Sequence, residues 1–241
     1  MGRFDGASIP LSILLILRLV SEAEVDYIGN DERGRGRMIF LRRESLKQYI
    51  RWYPVTSIWI VINLVVFGLM ELYGSSTNSE TLIRFGAMYH TPFWNPELWR
   101  YITSVFVHIG GMHLIMNSFF LYVFAPPLER MLGSFKYAIF YLLSGVAGNL
   151  VSQWMASSYS VSAGASGAIY GIFGAYLYLS LYHKYMLDRQ SQQTVYTMLA
   201  IGVVFSLIMP QINLSAHLGG LAGGFLLMAA TAPLWRNKRG R

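Results

Sequence analysis

The sequence contains no cysteine, and few of its 241 residues are charged. Without cysteine the chain can form no disulfide bond and can use no thiol chemistry, so the redox state of its compartment stays open. Only 13% of the residues are Asp, Glu, Lys or Arg, whereas soluble domains average about 25%. Hydrophobic residues make up 54% of the chain, and the mean hydropathy is +0.40. This composition excludes an ordinary soluble domain and indicates a membrane protein.

The hydrophobic residues are concentrated in six runs, each long enough to cross a bilayer as a helix. The runs cover residues 54–73, 104–125, 134–154, 165–182, 194–210 and 214–232. Pro54 suits the first turn of the first helix. Pro126 and Pro127 predict the end of the second, because neither residue can donate a backbone hydrogen bond. The sequence therefore predicts an all-α fold, a polytopic membrane protein built as a bundle of six transmembrane helices.

Basic residues fall mainly on one side of the predicted bundle. Of the 19 Lys and Arg residues, only Arg84 and Arg100 fall in loops assigned to the other side. Because cytoplasmic loops carry the excess of basic residues, we expect both termini in the cytoplasm and the long loop 74–103 outside. A net charge of +7 could also indicate nucleic-acid binding, but that function needs a basic patch on a soluble fold. We therefore expect the lipid bilayer as a partner, and no nucleic acid.

Residues 1–53 differ from the rest of the chain and are expected to lie in the cytoplasm. The apolar stretch 9–20 is too short to span a bilayer and is interrupted by an arginine. A signal peptide is the alternative, but it would export the basic segment that follows, against the positive-inside rule. Leu46, Ile50 and Tyr53 recur at helical spacing among Arg and Lys residues, which predicts a helix lying on the membrane surface.

A glycine-flanked serine and a histidine open the fourth and the sixth apolar runs. Ser166 lies in the sequence Gly-Ala-Ser-Gly, and His217 lies in Ala-His-Leu-Gly-Gly. Both helices are predicted to run inward, so the two residues share a similar depth near the outer face. A serine hydroxyl is a weak nucleophile unless a hydrogen-bonded base accepts its proton. Either residue alone could serve helix packing, but the pair at matched depth predicts nucleophilic catalysis.

Small residues favour close contact between the two helices that carry this pair. Gly167 and Gly171 are four residues apart, as are Gly220 and Gly224, and such spacing lets membrane helices approach closely. The nucleophile elbow of soluble hydrolases is a different motif. That elbow needs a strand before its serine, and no strand pattern precedes Ser166.

The sequence offers no acidic residue that could orient the histidine. No Asp or Glu lies in the outer half of a later span to orient His217. A Ser-His dyad is therefore a simpler prediction than a catalytic triad. Tyr170 lies one turn after Ser166 and can pack on the imidazole, with core packing as its alternative role.

The second apolar run carries His108, His113 and Asn117. His113 and Asn117 are four residues apart and share one helix face. With the Ser166 amide, they could donate hydrogen bonds to the oxyanion that forms during acyl transfer. A metal site built from His108, His113 and His217 is the alternative, but no H-E-x-x-H spacing or nearby carboxylate supports it. No metal and no cofactor are expected, and an interhelical hydrogen bond is a credible role for His108.

Taken in order along the chain, these residues match the motifs of a known family. The motifs are Trp99-Arg100, His113-x-x-x-Asn117, Glu129-Arg130, Gly164-x-Ser166-Gly167-x-x-Tyr170 and Ala216-His217-x-x-Gly220-x-x-x-Gly224. The chain resembles the rhomboid intramembrane serine proteases over residues 51–232. The resemblance implies Ser166 as the nucleophile and His217 as the general base of a serine endopeptidase. It also implies that His113, Asn117 and the Ser166 amide bind the oxyanion, and that the substrates are membrane proteins cut in or near a transmembrane segment.

We expect three segments in this chain. They are a cytoplasmic N-terminal segment at 1–53, a six-helix rhomboid protease domain at 54–232 and a basic cytoplasmic tail at 233–241. The expected location is a bacterial plasma membrane. One alternative function is an inactive rhomboid-like protein that binds membrane clients, but such relatives lack the serine or the histidine. Another is a small transporter, but transporters show broken helices at the midplane and often inverted repeats, and the sequence shows neither.

The expected start of the working protein is Met38. Residues 1–37 match nothing in the resemblance, and residues 31–37 form the kind of Arg, Gly and acidic string that purine-rich DNA encodes upstream of a start codon. A chain that begins at Met38 keeps the basic residues before the first span, so it should insert with the same topology and retain full activity. Intact-mass measurement of the natively expressed protein checks the start. A mass matching all 241 residues, together with activity lost on truncation, would contradict this expectation.

Overall fold

The computed structural model describes residues 39–91, 95–156, 159–209 and 211–231. Within these ranges the chain is mostly helical. The helices are α1 (Leu46–Trp52), α2 (Pro54–Tyr73), α3 (Ser79–Arg84), α4 (Arg100–Thr103), α5 (Gly111–Leu132), α6 (Ser134–Met155), α7 (Ser166–Tyr182), α8 (Arg189–Ile208) and α9 (Leu214–Thr231). Two 3-10 turns lie at Ser104–Phe106 and Lys184–Met186. The expected start at Met38, the apolar stretch 9–20 and the basic tail lie outside the described residues.

Within the described residues, six long helices form the bundle. They are α2 and α5 to α9, and each has 17 to 22 residues. By length and composition, α2, α5, α8 and α9 can each cross a membrane. The shorter α7 packs against both α6 and α9, which also contact each other, and most of its residues are buried. The predicted all-α fold of a multi-pass membrane protein is thereby confirmed.

The second apolar run departs from its predicted boundary. α5 begins at Gly111, whereas the hydropathy pattern predicted a start at 104. The preceding residues instead form α4 and the 3-10 turn Ser104–Phe106. Gly110 has φ +77° and turns the chain into α5, a backbone conformation that glycine adopts without steric cost. The prediction was wrong because average hydropathy does not register a single-residue turn.

Pro126 and Pro127 lie inside α5, so the prediction that they end this helix was also wrong. A proline has no amide hydrogen, so the carbonyl four residues earlier loses its helical partner. For Pro126 that carbonyl belongs to Tyr122, and the Tyr49 hydroxyl of α1 donates to it at 3.0 Å. The two tyrosine rings also stack, with centroids 4.7 Å apart. A side chain from another helix thus satisfies the freed carbonyl, as is common where membrane helices tolerate proline.

α1 lies where the sequence predicts a surface helix. Ser45 and Gln48 form a capping box at its start. Leu46 and Ile50 are exposed, as expected for residues that face the lipid surface. Tyr53 departs from this pattern, because it is buried and follows the last residue of the helix.

A buried carboxylate connects α5 to the start of α2. Glu129 is 1% exposed and accepts hydrogen bonds from the amides of Val55 and Thr56, each at 2.9 Å. The hydroxyls of Thr56 and Ser134 donate to it at 2.6 and 2.8 Å. The first amides of a helix have no intrahelical acceptor, and negative charge is favoured there. Glu129 therefore caps α2, whose first residue is Pro54 as predicted.

Two short strands pair outside the helical bundle. β1 (Met88–His90) lies antiparallel to β2 (Ser160–Ser162), with Met88 opposite Ser162. The sequence shows no strand pattern before the Gly-Ala-Ser-Gly motif, yet the short strand β2 precedes it. Three residues are too few to show the alternation by which a strand is recognised in a sequence. The pair ties the loop after α3 to the segment that leads into α7.

α7 and α9 approach each other through glycines. A Cβ atom added to Gly220 would collide with the Gly167 carbonyl oxygen, and one added to Gly224 would collide with that of Gly171. Gly219 faces α6 instead, so α9 presents glycine to both neighbours. Close approach of this kind is the usual way that membrane helices gain packing energy.

Gly220→Ala is expected to lower the free energy of unfolding by about 1–3 kcal/mol, the range for overpacked interiors. The added methyl group meets a backbone oxygen, which cannot rotate away as a side chain can. Gly68→Ala in α2 is the matched control, because nothing lies within 4 Å of its added Cβ. Alanine there should be neutral or stabilising. Thermal unfolding in detergent micelles measures both, and equal stability of the two variants would contradict the packing described.

Candidate active site

The Ser166 hydroxyl and the His217 imidazole are in hydrogen-bond contact. Ser166 is the first residue of α7, and His217 lies in the first turn of α9. The distance from Ser166 Oγ to His217 Nε2 is 2.8 Å. His217 is 7% exposed, so the imidazole is largely shielded. The glycine contact between the two helices brings these side chains together.

Tyr170 packs flat on the imidazole of His217. The ring centroids are 4.1 Å apart, and the planes are inclined by 13°. Of the two roles considered for Tyr170, the geometry matches contact with the imidazole. The Tyr170 ring therefore covers one face of the imidazole.

His217 has a second hydrogen-bond partner that the sequence analysis missed. Ser206 of α8 lies with its Oγ 2.9 Å from His217 Nδ1. The expectation of an acidic orienting residue did not include a neutral hydroxyl. A serine inside a helix commonly bonds to the carbonyl four residues earlier. Its position in the sequence alone carries no signal of contact with a histidine.

His113 lies against the glycine that precedes the nucleophile motif. A Cβ on Gly164 would overlap the His113 ring, and φ of +136° at Gly164 also favours glycine. Asn117 Nδ2 donates to the His113 carbonyl oxygen at 2.9 Å. The Asn117 side-chain amide has two N–H hydrogens, so one of them remains for another acceptor.

His108 and Ser104 hold the backbone just before the serine. The Ala165 amide donates to His108 Nε2 at 3.4 Å, and the Gly164 amide donates to the Ser104 carbonyl at 2.9 Å. Because Nε2 accepts, the neutral His108 ring carries its hydrogen on Nδ1, which lies 3.3 Å from the Phe106 carbonyl oxygen. His108 lies before α5 and Ala165 lies before α7, so this hydrogen bond joins two loop segments and is not the expected bond between helices.

Trp99 and Arg100 organise the loop before α5. Arg100 donates to the carbonyls of Ile83 and Ala87 at 2.5 and 3.1 Å, and its guanidinium lies 4.3 Å from the Trp99 ring centroid. It also pairs with Glu97 at 2.5 Å. The hydrogen bond from Arg100 lowers the pKa of Glu97 to about 2. Both residues therefore shape the loop through contacts with other loop residues.

The alternative metal site would require free nitrogens on His108, His113 and His217. Both nitrogens of His217 face serine hydroxyls, and both of His108 face backbone groups. The rings of His108 and His113 meet edge to face, with centroids 5.3 Å apart. Across the part of the chain that the structure describes, no group of three or more His, Asp or Glu side chains is arranged to hold a metal ion.

Comparison with known proteins identifies relatives over most of the chain. A family model described as Rhomboid domain matches residues 95–234. The rhomboid-family protein YdcA of Bacillus subtilis (strain 168) is 37% identical over 190 residues, which cover 78% of this chain and 94% of YdcA. Rhomboid protease GluP of the same organism is 38% identical over 175 residues, which cover 73% of this chain but only 34% of GluP. RHOMBOID-like protein 6, mitochondrial, of Arabidopsis thaliana is 34% identical over 153 residues, 62% of this chain and 49% of that protein.

Proposed function

The chain belongs to the rhomboid family, and from this premise and the geometry of its site we propose that it is an intramembrane serine endopeptidase. It hydrolyses peptide bonds in or near the transmembrane segments of other membrane proteins. The observation that carries the proposal is the 2.8 Å hydrogen bond between Ser166 Oγ and His217 Nε2, inside a multi-pass membrane bundle. The names of relatives such as rhomboid protease GluP support the same activity.

The first half of the reaction forms an acyl-enzyme. Ser166 Oγ attacks the carbonyl carbon of the scissile peptide bond while its proton passes to His217 Nε2. A C–O bond forms, and the carbonyl electrons move onto oxygen to give a tetrahedral oxyanion. The oxyanion collapses and the C–N bond breaks. The leaving amine takes the proton from His217, and the acyl group stays on Ser166.

The second half of the reaction consumes one water molecule. The water attacks the acyl carbon and gives a proton to His217 Nε2. Collapse of the second oxyanion breaks the ester bond, and Ser166 Oγ recovers the proton. The products are a carboxylic acid and an amine, so the balance requires no cofactor.

Three donors are proposed for the oxyanion. The Ser166 amide lies at the first position of α7, where helical amides have no intrahelical acceptor. His113 packs beside Gly164, and Asn117 keeps one amide hydrogen for a further acceptor. Donors that are already oriented toward the developing charge stabilise the transition state without reorganisation.

The orientation of the protein follows from its basic residues. We place both termini in the cytoplasm of a bacterial plasma membrane and the Ser166 end of α7 toward the outside. The division into segments 1–53, 54–232 and 233–241 belongs to the same proposal. The inactive, client-binding alternative is less well supported, because the chain retains both Ser166 and His217 and the two are hydrogen-bonded.

Ser166→Ala and His217→Ala are each expected to abolish cleavage of a model transmembrane substrate in proteoliposomes. The first removes the nucleophile and the second leaves a hydroxyl without a base. The double variant should be no worse than either single one, because residues that act as a unit are not additive. Labelling by a fluorophosphonate should be lost in Ser166→Ala, while thermal unfolding shows that the variant is folded. Full activity in either single variant would contradict the assignment.

His113→Ala and Asn117→Ala are expected to lower turnover without abolishing it. Loss of one well-placed oxyanion donor costs on the order of 100- to 1,000-fold. The remaining Ser166 amide should make the loss smaller here. Turnover is measured with the same substrate in proteoliposomes, with thermal unfolding as the control for folding. Unchanged turnover in both single variants and in the double variant would remove the two residues from the oxyanion site.

A further inference from the structure

The imidazole of His217 lies between two serine hydroxyls that belong to different helices. Nε2 lies 2.8 Å from Ser166 Oγ on α7, and Nδ1 lies 2.9 Å from Ser206 Oγ on α8. Ser206 is 6% exposed, so its hydroxyl has little access to bulk solvent. The imidazole therefore has a defined partner on each nitrogen, and only the Ser166 side is used by the reaction described above.

The positions of the hydrogens on Ser206 and His217 follow from which neighbouring groups can donate and which can only accept. Ser206 has one hydroxyl hydrogen, and the Gly202 carbonyl oxygen, 2.7 Å away, can only accept it. With that hydrogen directed at Gly202, Ser206 Oγ accepts the hydrogen of His217 Nδ1. A neutral imidazole carries one N–H group, so Nε2 is left unprotonated and faces the hydroxyl of Ser166.

The same turn of α8 also receives the ring that covers the imidazole. A Cβ on Gly202 would overlap the Tyr170 hydroxyl, so glycine leaves space for that group. One turn of α8, from Gly202 to Ser206, therefore contacts both the histidine and the ring stacked on it.

We propose that Ser206 is a positioning residue that holds His217 in the tautomer with hydrogen on Nδ1. The inference rests on the proposed function, because it concerns the same Ser166–His217 pair. The Ser206 hydroxyl directs Nε2 at the nucleophile before reaction. When Nε2 takes the proton of Ser166, Ser206 Oγ continues to accept from Nδ1 and its lone pair stabilises the imidazolium.

A neutral hydroxyl suits this position better than a carboxylate does. A carboxylate in a membrane bundle is costly to bury unless it is fully paired. Before proton transfer the imidazole is neutral, so a carboxylate beside it would carry an uncompensated charge. A serine hydrogen-bonded within its own helix supplies the acceptor without that charge.

The first experiment reads the tautomer directly and needs no activity. Nitrogen NMR of the full chain with labelled histidine assigns the His217 signals by their loss in His217→Ala. The unsubstituted protein is expected to show Nδ1 protonated and Nε2 unprotonated. Ser206→Ala is expected to shift this equilibrium toward the other tautomer. Protonation on Nε2 in the unsubstituted protein, or an unchanged equilibrium in Ser206→Ala, would overturn the proposal.

The second experiment measures turnover in proteoliposomes at matched substrate mole fraction. Ser206→Ala is expected to lower kcat on the order of 10- to 100-fold with KM unchanged, less than when a charged orienting residue is lost. Ser206→Thr keeps the hydroxyl and should restore most of kcat. Ser57→Ala is the matched control, since the Ser57 hydroxyl of α2 donates to the carbonyl four residues earlier, that of Tyr53, at 2.8 Å. That variant should keep wild-type kcat.

Two kinetic results would overturn the role of Ser206. They are wild-type kcat in Ser206→Ala, and an equal loss in Ser206→Thr and Ser206→Ala with unchanged thermal unfolding. Failure of the proposed function gives a different result. In that case the unsubstituted protein neither cleaves the substrate nor reacts with a fluorophosphonate, and the NMR measurement still decides whether Ser206 sets the tautomer.

Discussion

The backbone contact between α7 and α9 is the constraint on which the site depends. Lipid chains are as apolar as the helices, so burial of apolar surface does not drive helices together inside a membrane, and packing has to supply the attraction. Gly220 and Gly224 let two backbones meet where any side chain would hold them apart. Serine and histidine side chains are short, so they can bond to each other only when the backbones of their helices are close. Their hydrogen bond at 2.8 Å therefore exists only because the helices that carry them are in contact.

A second regularity is that side chains form hydrogen bonds with backbone N–H and C=O groups that have no partner within secondary structure. Glu129 accepts the first amides of α2, Tyr49 donates to a carbonyl freed by proline, and His108 accepts the amide before the nucleophile. The core of a membrane contains no water to bond with such groups, so each unsatisfied group costs free energy. The polar residues of this bundle are few, and several of them have a specific structural task.

Whether a feature of the fold or of the site can be predicted depends on how far apart in the sequence the interacting residues lie. The number and type of the long helices, and the pairing of a serine with a histidine, follow from hydropathy, charge asymmetry and motif spacing. The proline prediction failed because Tyr49 is remote in sequence, and no local rule states that it will satisfy α5. Ser206 was missed for a related reason. Its contact with His217 depends on the rotation of α8 about its axis, which apolar residues on most sides of that helix do not define.

The hydrogen bond from Tyr49 to the Tyr122 carbonyl also bears on how the chain is assembled. Donor and acceptor are 73 residues apart, and the donor is synthesised first. When α1 leaves the ribosome, the carbonyl that it will serve does not yet exist. This hydrogen bond can therefore form only after the chain has been synthesised past Tyr122. Because the acceptor lies in a helix that is made later, α1 gains this contact only after its own synthesis is complete.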